Sequence, residues 1–189
     1  MNDTQSIDPA AHNPGGKVKI ALAAGVHGDA EFSRDGRYRP RMRRWTGDVF
    51  PDRYVLFIGM NPSTADASAN DPTCAREWQF TLREGYHGMV KTNVGDYRAT
   101  NPKDLMAAGL SVSSPENLPT IRQSAAGAAL VVVCHGKLNP PLALAAKAIL
   151  AALHEDGVDL WCFGTNADGS PKHPLYLRAD TPLIRYQLG

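Results

Sequence analysis

Tyr54-Val55-Leu56-Phe57-Ile58 is an unbroken apolar run that stops at Gly59. A strand with one wet face alternates apolar and polar residues, whereas a strand covered on both faces reads as this one does. Three more short strands follow: Met89 to Thr92, Ala128 to Cys134 (AALVVVC), and Asp159 to Phe163. Helical segments separate them. Asp71-Pro72 offers an N-cap followed by proline at the first helical position, and Gly85 offers a C-terminal cap. The helix between them is expected to run to about Glu84 and to bury Cys74, Trp78 and Leu82. Asn101-Pro102 opens a brief helix closed by Gly109, Ser114-Pro115-Glu116 opens another, and Pro140-Pro141 leads an Ala- and Leu-rich helix to His154. Short buried strands alternating with helices predict an α/β fold: a three-layer α/β/α sandwich on a central four-stranded parallel sheet.

Upstream, Lys17 to Val26 reads as a first strand, and Arg34-Asp35-Gly36-Arg37 reads as the turn of an N-terminal β-hairpin within Ala30 to Trp45. Residues 1–16 are polar, rich in Asn, Asp, Pro and Gly, and without periodicity, which predicts a disordered tail before a single domain spanning 17–189. For 189 residues with 43% hydrophobic and 21% charged side chains, one domain is the ordinary outcome. No stretch approaches the apolar length of a membrane span, so no membrane partner is expected. The tail lacks a basic start and apolar block, and Cys74, Cys134 and Cys162 form no CxxC pair, which points to a reduced, cytoplasmic setting. The six histidines show no paired ligand spacing, so neither a metal nor another cofactor is expected.

In open parallel sheets, ligands bind beyond the carboxyl ends of the strands. That rule narrows the functional search to four segments: Gly59-Met60-Asn61-Pro62-Ser63-Thr64, Asn93 to Arg98, His135-Gly136-Lys137, and Gly164 to Tyr176. Each places polar residues directly after an apolar strand. The plainer reading of Asn61-Pro62-Ser63 and of Asn93 is a turn satisfying its own backbone, and of His173 a packed side chain in a proline-rich loop. Asp66, Asp71 and Asp96 are candidate carboxylates, although Asp71 already serves as a cap.

Asn61-Pro62-Ser63-Thr64-Ala65-Asp66, Asp71-Pro72-Thr73, Arg98-Ala99-Thr100-Asn101-Pro102 and His173-Pro174-Leu175-Tyr176 occur in order between Tyr54 and Tyr176. In these motifs the chain resembles the family known as domain of unknown function 1643. More distantly, its strand–loop pattern resembles the uracil-DNA glycosylase superfamily. Gly59-Met60-Asn61-Pro62 is similar to that superfamily's first motif, whose asparagine positions the attacking water. Asn93 is similar to the asparagine that reads a flipped pyrimidine, and His173-Pro174 to the motif whose histidine stabilises charge on the base. Leu175-Tyr176 stands where Ser-Pro is usual, and Ser63 where glycine is usual.

The resemblance implies a uracil-DNA glycosylase-like fold and an N-glycosidase that flips a modified or mismatched pyrimidine, as in base excision. Asn61 and His173 are then catalytic, and Gly59, Met60, Pro62, Ser63, Asn93 and Tyr176 bind substrate. The residue types suit this chemistry. Departure of a base leaves negative charge on it, which a donor stabilises, and an asparagine amide both donates and accepts. The expected partner is DNA, single-stranded included, or a nucleotide. The alternatives are a non-catalytic nucleic-acid- or nucleotide-binding module and an enzyme of free nucleosides or nucleotides. Six arginines lie within Arg34 to Arg44 although the chain's net charge is +1. If this segment is extended, Arg37, Arg39, Arg41 and Arg43 share one face and could follow a phosphate backbone. The bland counterpart is a solvated face paired with Glu31, Asp35 and Asp48.

Overall fold

The computed structural model describes residues 18–101, 103–104 and 112–187. The expected tail over residues 1–16 and most of the brief helix after Asn101 lie outside the described residues. Nine strands and three α-helices are seen among those described: β1 (Ile20–Ala21), β2 (Val26–Glu31), β3 (Arg41–Thr46), β4 (Val55–Gly59), β5 (Ala69–Asn70), α1 (Pro72–Arg83), β6 (Gly88–Asn93), α2 (Asn117–Ala126), β7 (Leu130–Val133), α3 (Pro140–Glu155), β8 (Leu160–Cys162) and β9 (Ile184–Arg185). A short 3-10 turn covers Pro174–Tyr176.

The main sheet is mixed and seven-stranded, in the order β2-β3-β6-β4-β7-β8-β9. The four expected strands form its middle and are parallel to one another. The expectation of four strands was therefore too small: antiparallel β2 and β3 extend one side, and β9 extends the other. A parallel strand needs neighbours on both sides to satisfy its backbone, and these flanking strands supply them. The hairpin is real but shifted. Its first strand is Val26–Glu31, whereas the Lys17–Val26 segment yields only the two-residue β1, which pairs with β5.

The two faces of the sheet differ. Leu56, Ile58, Val90, Val131 and Val133 point toward α2 and α3 and join Ile121, Leu142, Ile149 and Leu153 in one apolar cluster. Val55, Phe57, Met89, Val132 and Cys134 point toward α1, where they meet Cys74, Trp78 and Phe80. The period of two along each strand makes this division.

On α1, Asp71 caps the first turn by accepting from the Cys74 N–H at 2.8 Å, Pro72 begins the helix, and Gly85 follows it at φ 78°. The expected stripe needs one correction. Cys74 and Trp78 are buried, but Leu82 is 45% exposed and Thr81 is buried in its place. A rigid spacing of four drifts off the axis of a 3.6-residue helix, so the inward face passes through Glu77 and Thr81. Among the described residues, no helix is long and apolar enough to cross a membrane.

Candidate functional site

Parallel packing of β4, β6, β7 and β8 brings their carboxyl ends to one edge of the sheet, and a cavity of about 510 Å³ opens there on the α1 side. Asn61, Asn93 and His173 all line it, together with Met60, Ser63 and Tyr176. Gly59 and Pro62 do not, but they set its frame. The Gly59 carbonyl accepts from the Val94 N–H at 2.8 Å, and the Pro62 carbonyl accepts from the Ala99 N–H at 3.0 Å. Gly59 lies opposite Asn93 in the parallel register. A side chain at 59 would run into the Lys91 Nζ and would stand 2.9 Å from the Asn93 Oδ1, so only glycine leaves room for both.

Asn93 is 1% exposed, and neither its amide nitrogen nor its amide oxygen has a hydrogen-bond partner among the described residues. Leaving such a group unpaired costs about 1–3 kcal/mol, so this amide is unusual as a purely structural element. Its backbone, by contrast, is firmly held. The Asn117 side chain donates to the carbonyls of Asn93 at 3.1 Å and Val94 at 3.0 Å. Asn61 donates its amide hydrogens to the carbonyls of Ala99 at 2.7 Å and Pro62 at 3.0 Å, which leaves Oδ1 as its remaining polar atom.

The two cavity histidines present opposite atoms. The His173 Nδ1 accepts from the Leu175 N–H at 3.4 Å, so in the neutral ring the proton resides on Nε2 and that atom donates. Burial, reinforced by the Lys91 charge, lowers the His173 pKa to about 4 and keeps the ring neutral near pH 7. The His135 Nδ1 lies 2.7 Å from the Gly136 carbonyl, which can only accept. The neutral His135 ring is therefore protonated on Nδ1, and its buried Nε2, which has no partner among the described residues, is an acceptor. Burial lowers the His135 pKa as well.

Beneath the cavity, Lys91 on β6 forms a buried ion pair with Glu77 on α1, and the Cys134 thiol donates to Glu77 Oε1 at 3.5 Å. Burial raises the pKa of Glu77, while the attraction of Glu77 raises that of Lys91 against the opposing cost of burial. Lys91, Asp71 and His135 all line the cavity; the strand-end search marked the segment that holds His135, Asp71 was a candidate carboxylate, and Lys91 was missed. Lys91, Glu77 and His135 each left a trace in the sequence. Lys91 shares the inward face of its strand with Met89, Glu77 sits between Cys74 and Trp78 on the inward face of α1, and His135 directly follows an apolar run. Of the three candidate carboxylates, only Asp71 reaches the cavity. Asp66 is bound to Lys19 and to the Ser68 and Ala69 N–H groups, and Asp96 accepts from Ser114.

The four arginines do not form one stripe. Pro40 interrupts the segment and β3 begins only at Arg41. Arg41 and Arg43 do share a face, where they pair with Glu31 and Asp29 directly across the hairpin. Arg37 meets Asp35 at 3.5 Å. Arg39 turns inward instead, is 1% exposed and lines the cavity. Among the described residues, no group of three or more His, Cys, Asp or Glu side chains is placed to hold a metal ion.

A family model described as Protein of unknown function (DUF1643) matches residues 37–175, a span holding every cavity residue named above except Tyr176. Comparisons with curated proteins and with solved structures returned no match.

Proposed function

The chain belongs to the DUF1643 family, and from the chemistry of its cavity we propose that it binds a nucleobase and cleaves its N-glycosidic bond. The observation that carries this reading is the buried, unpartnered Asn93 amide on the wall of a cavity also lined by Asn61 and His173. An amide offering a donor and an acceptor side by side matches the alternating edge of a pyrimidine, and such an edge would satisfy both atoms. The motif resemblance to uracil-DNA glycosylases supports the same assignment. A base within a duplex reaches such a cavity only by flipping, so single-stranded or mispaired substrates are favoured.

In this reading, the bond from the base nitrogen to the sugar C1′ breaks and its electron pair moves onto the base. The neutral His173 donates its Nε2–H to a base oxygen and stabilises the developing anion. Asn61 Oδ1 accepts a hydrogen bond from the water whose oxygen bonds to C1′. The His135 Nε2 is a second acceptor, for that water or for a donor on the base. The proton lost by the water ends on the departing base or in solvent. Among the described residues that line the cavity, Asp71 is the one carboxylate, and its Oδ1 is engaged in capping α1, so slow turnover is expected.

The test is incubation of the pure protein with oligonucleotides carrying uracil or other modified pyrimidines, followed by alkaline cleavage of abasic sites. Strand breaks that fall by about 10²–10³ in His173→Ala, and also disappear in Asn61→Ala, are the expected result. No breaks on any substrate would overturn the DNA form of the proposal. One observation favours a second reading, a binding module without catalysis. Both Asn61 amide hydrogens are committed to backbone carbonyls, and Asp71 is committed as a helix cap. That reading predicts base-dependent binding with no product.

A further inference from the structure

We propose that the cavity contains an anion subsite centred on Arg39, which takes the phosphate of a phosphorylated nucleotide, whether a strand phosphodiester or a free monophosphate. The nucleotide half of this statement rests on the nucleobase reading above; the phosphate half stands on Arg39 itself. The backbone around Arg39 is fixed, since its N–H donates to the Asp96 carbonyl at 2.9 Å and Tyr38 bridges Tyr97. Among the described residues its guanidinium makes one hydrogen bond, from an Nη to the Ala65 carbonyl, and its buried Nε has no partner. No ion pair joins it to a carboxylate there either. An arginine cannot shed its proton to escape burial, so a full charge stays in the cavity wall.

The neighbouring charges sharpen the imbalance. Arg44 is buried and Arg98 partly so, and after burial itself the Arg39 charge is a further cause pressing both pKa values down. Asp66 is the carboxylate common to their surroundings, and it is already engaged by Lys19. Two acids lie closer to the cavity, and each has its own counterweight. Glu77 is paired with Lys91, and Asp71 is held at the positive end of α1 by the Cys74 N–H. Among the described residues Arg39 has no carboxylate partner, and the equally buried Arg44 differs in spending its guanidinium on the Asn70 side chain and on backbone carbonyls. Ser63 and Thr100 line the same cavity and bring their hydroxyls within 3.1 Å of each other. A planar guanidinium fork with hydroxyls nearby is suited to tetrahedral oxyanions, which it grips through two parallel hydrogen bonds. Arg41 and Arg43 differ in just this respect, because their forks are already spent on carboxylates.

The test compares wild type, Arg39→Met and Arg39→Lys as full-length chains. Thermal unfolding and calorimetric titration are run against inorganic phosphate, 2′-deoxyuridine, its 5′-monophosphate and a short single-stranded oligonucleotide. The wild type should melt higher in phosphate and bind the monophosphate about tenfold or more tighter than the nucleoside. Arg39→Met should lose both gains while melting no lower than wild type in their absence, and Arg39→Lys should keep part of them. Should Arg39→Met fail to fold, the wild type's Arg39 Nε resonance decides: a shift on adding phosphate supports the subsite, and an unmoved resonance overturns it. Equal binding of nucleoside and monophosphate, or a phosphate effect that survives in Arg39→Met, also overturns it. Arg39-dependent phosphate binding with no preference among bases would support the subsite while sinking the nucleobase reading. Preference for the oligonucleotide or for the monophosphate tells which source of phosphate the site takes.

Discussion

The two faces of the sheet are built from the same strands by the same alternation, yet they hold their structure in different ways. Under α2 and α3, the packing is mainly apolar, with Leu56, Ile58, Val90, Val131, Ile149 and Leu153 filling the space, and the buried Asn117 and Ser124 of α2 are neutral groups that donate to backbone carbonyls. Under α1, the apolar cluster is interrupted by Glu77, Lys91 and Asn93, all buried and all polar. The first face gains stability from the apolar side chains it encloses. The second encloses groups that cost stability unless each finds a partner. The buried Glu77–Lys91 pair and the unpartnered Asn93 amide set that side of the molecule apart from the other.

The sharpest way to break this contrast is to remove one partner of the buried ion pair. Glu77→Ala strands the Lys91 charge and is expected to cost about 3–5 kcal/mol in urea unfolding. The double change Glu77→Leu with Lys91→Met should recover most of that loss. If the single variant unfolds like wild type, the two faces are energetically alike and the comparison fails. On the apolar face, Leu153→Ala should cost about 3 kcal/mol by opening a void, while leaving monophosphate binding in calorimetry unchanged. A loss of binding there would mean that the faces are coupled.

A smaller effect follows from His173. Its folded-state pKa of about 4 lies below the ordinary histidine value, so protons bind the unfolded chain first as pH falls. Stability should be greatest above about pH 6.5 and decline by about 2 kcal/mol down to pH 4, allowing for partial exposure; His173→Asn should flatten that part of the profile. Smallest of all, Arg41→Ala breaks only an exposed pair with Glu31 and should change unfolding by about 0.2–1 kcal/mol.

The middle of the sheet was legible because doubly covered strands write themselves as continuous apolar runs, and α1 because Asp71, Pro72 and Gly85 punctuate it. The meeting of Asn61, Asn93 and His173 at one cavity was legible for the same reason: parallel strands must deliver their carboxyl ends to one edge. The flanking β9 was not legible, since two residues carry no period. Lys91 and Glu77 were hidden by chemistry rather than by length. A charged residue in a pattern reads as solvent-facing until its partner is known, and that partner lies on another element. Arg39 was hidden by its neighbours Arg37, Arg41 and Arg43, whose regular spacing suggested a single strand face that Pro40 disrupts.

The missing side chain at Gly59 ties three positions into one hereditary unit. Since Lys91 and Asn93 both reach into the volume that a methyl group would claim, no descendant can acquire even alanine at 59 without displacing them. Substitutions at these sites are expected to travel together through any lineage that changes what the cavity recognises.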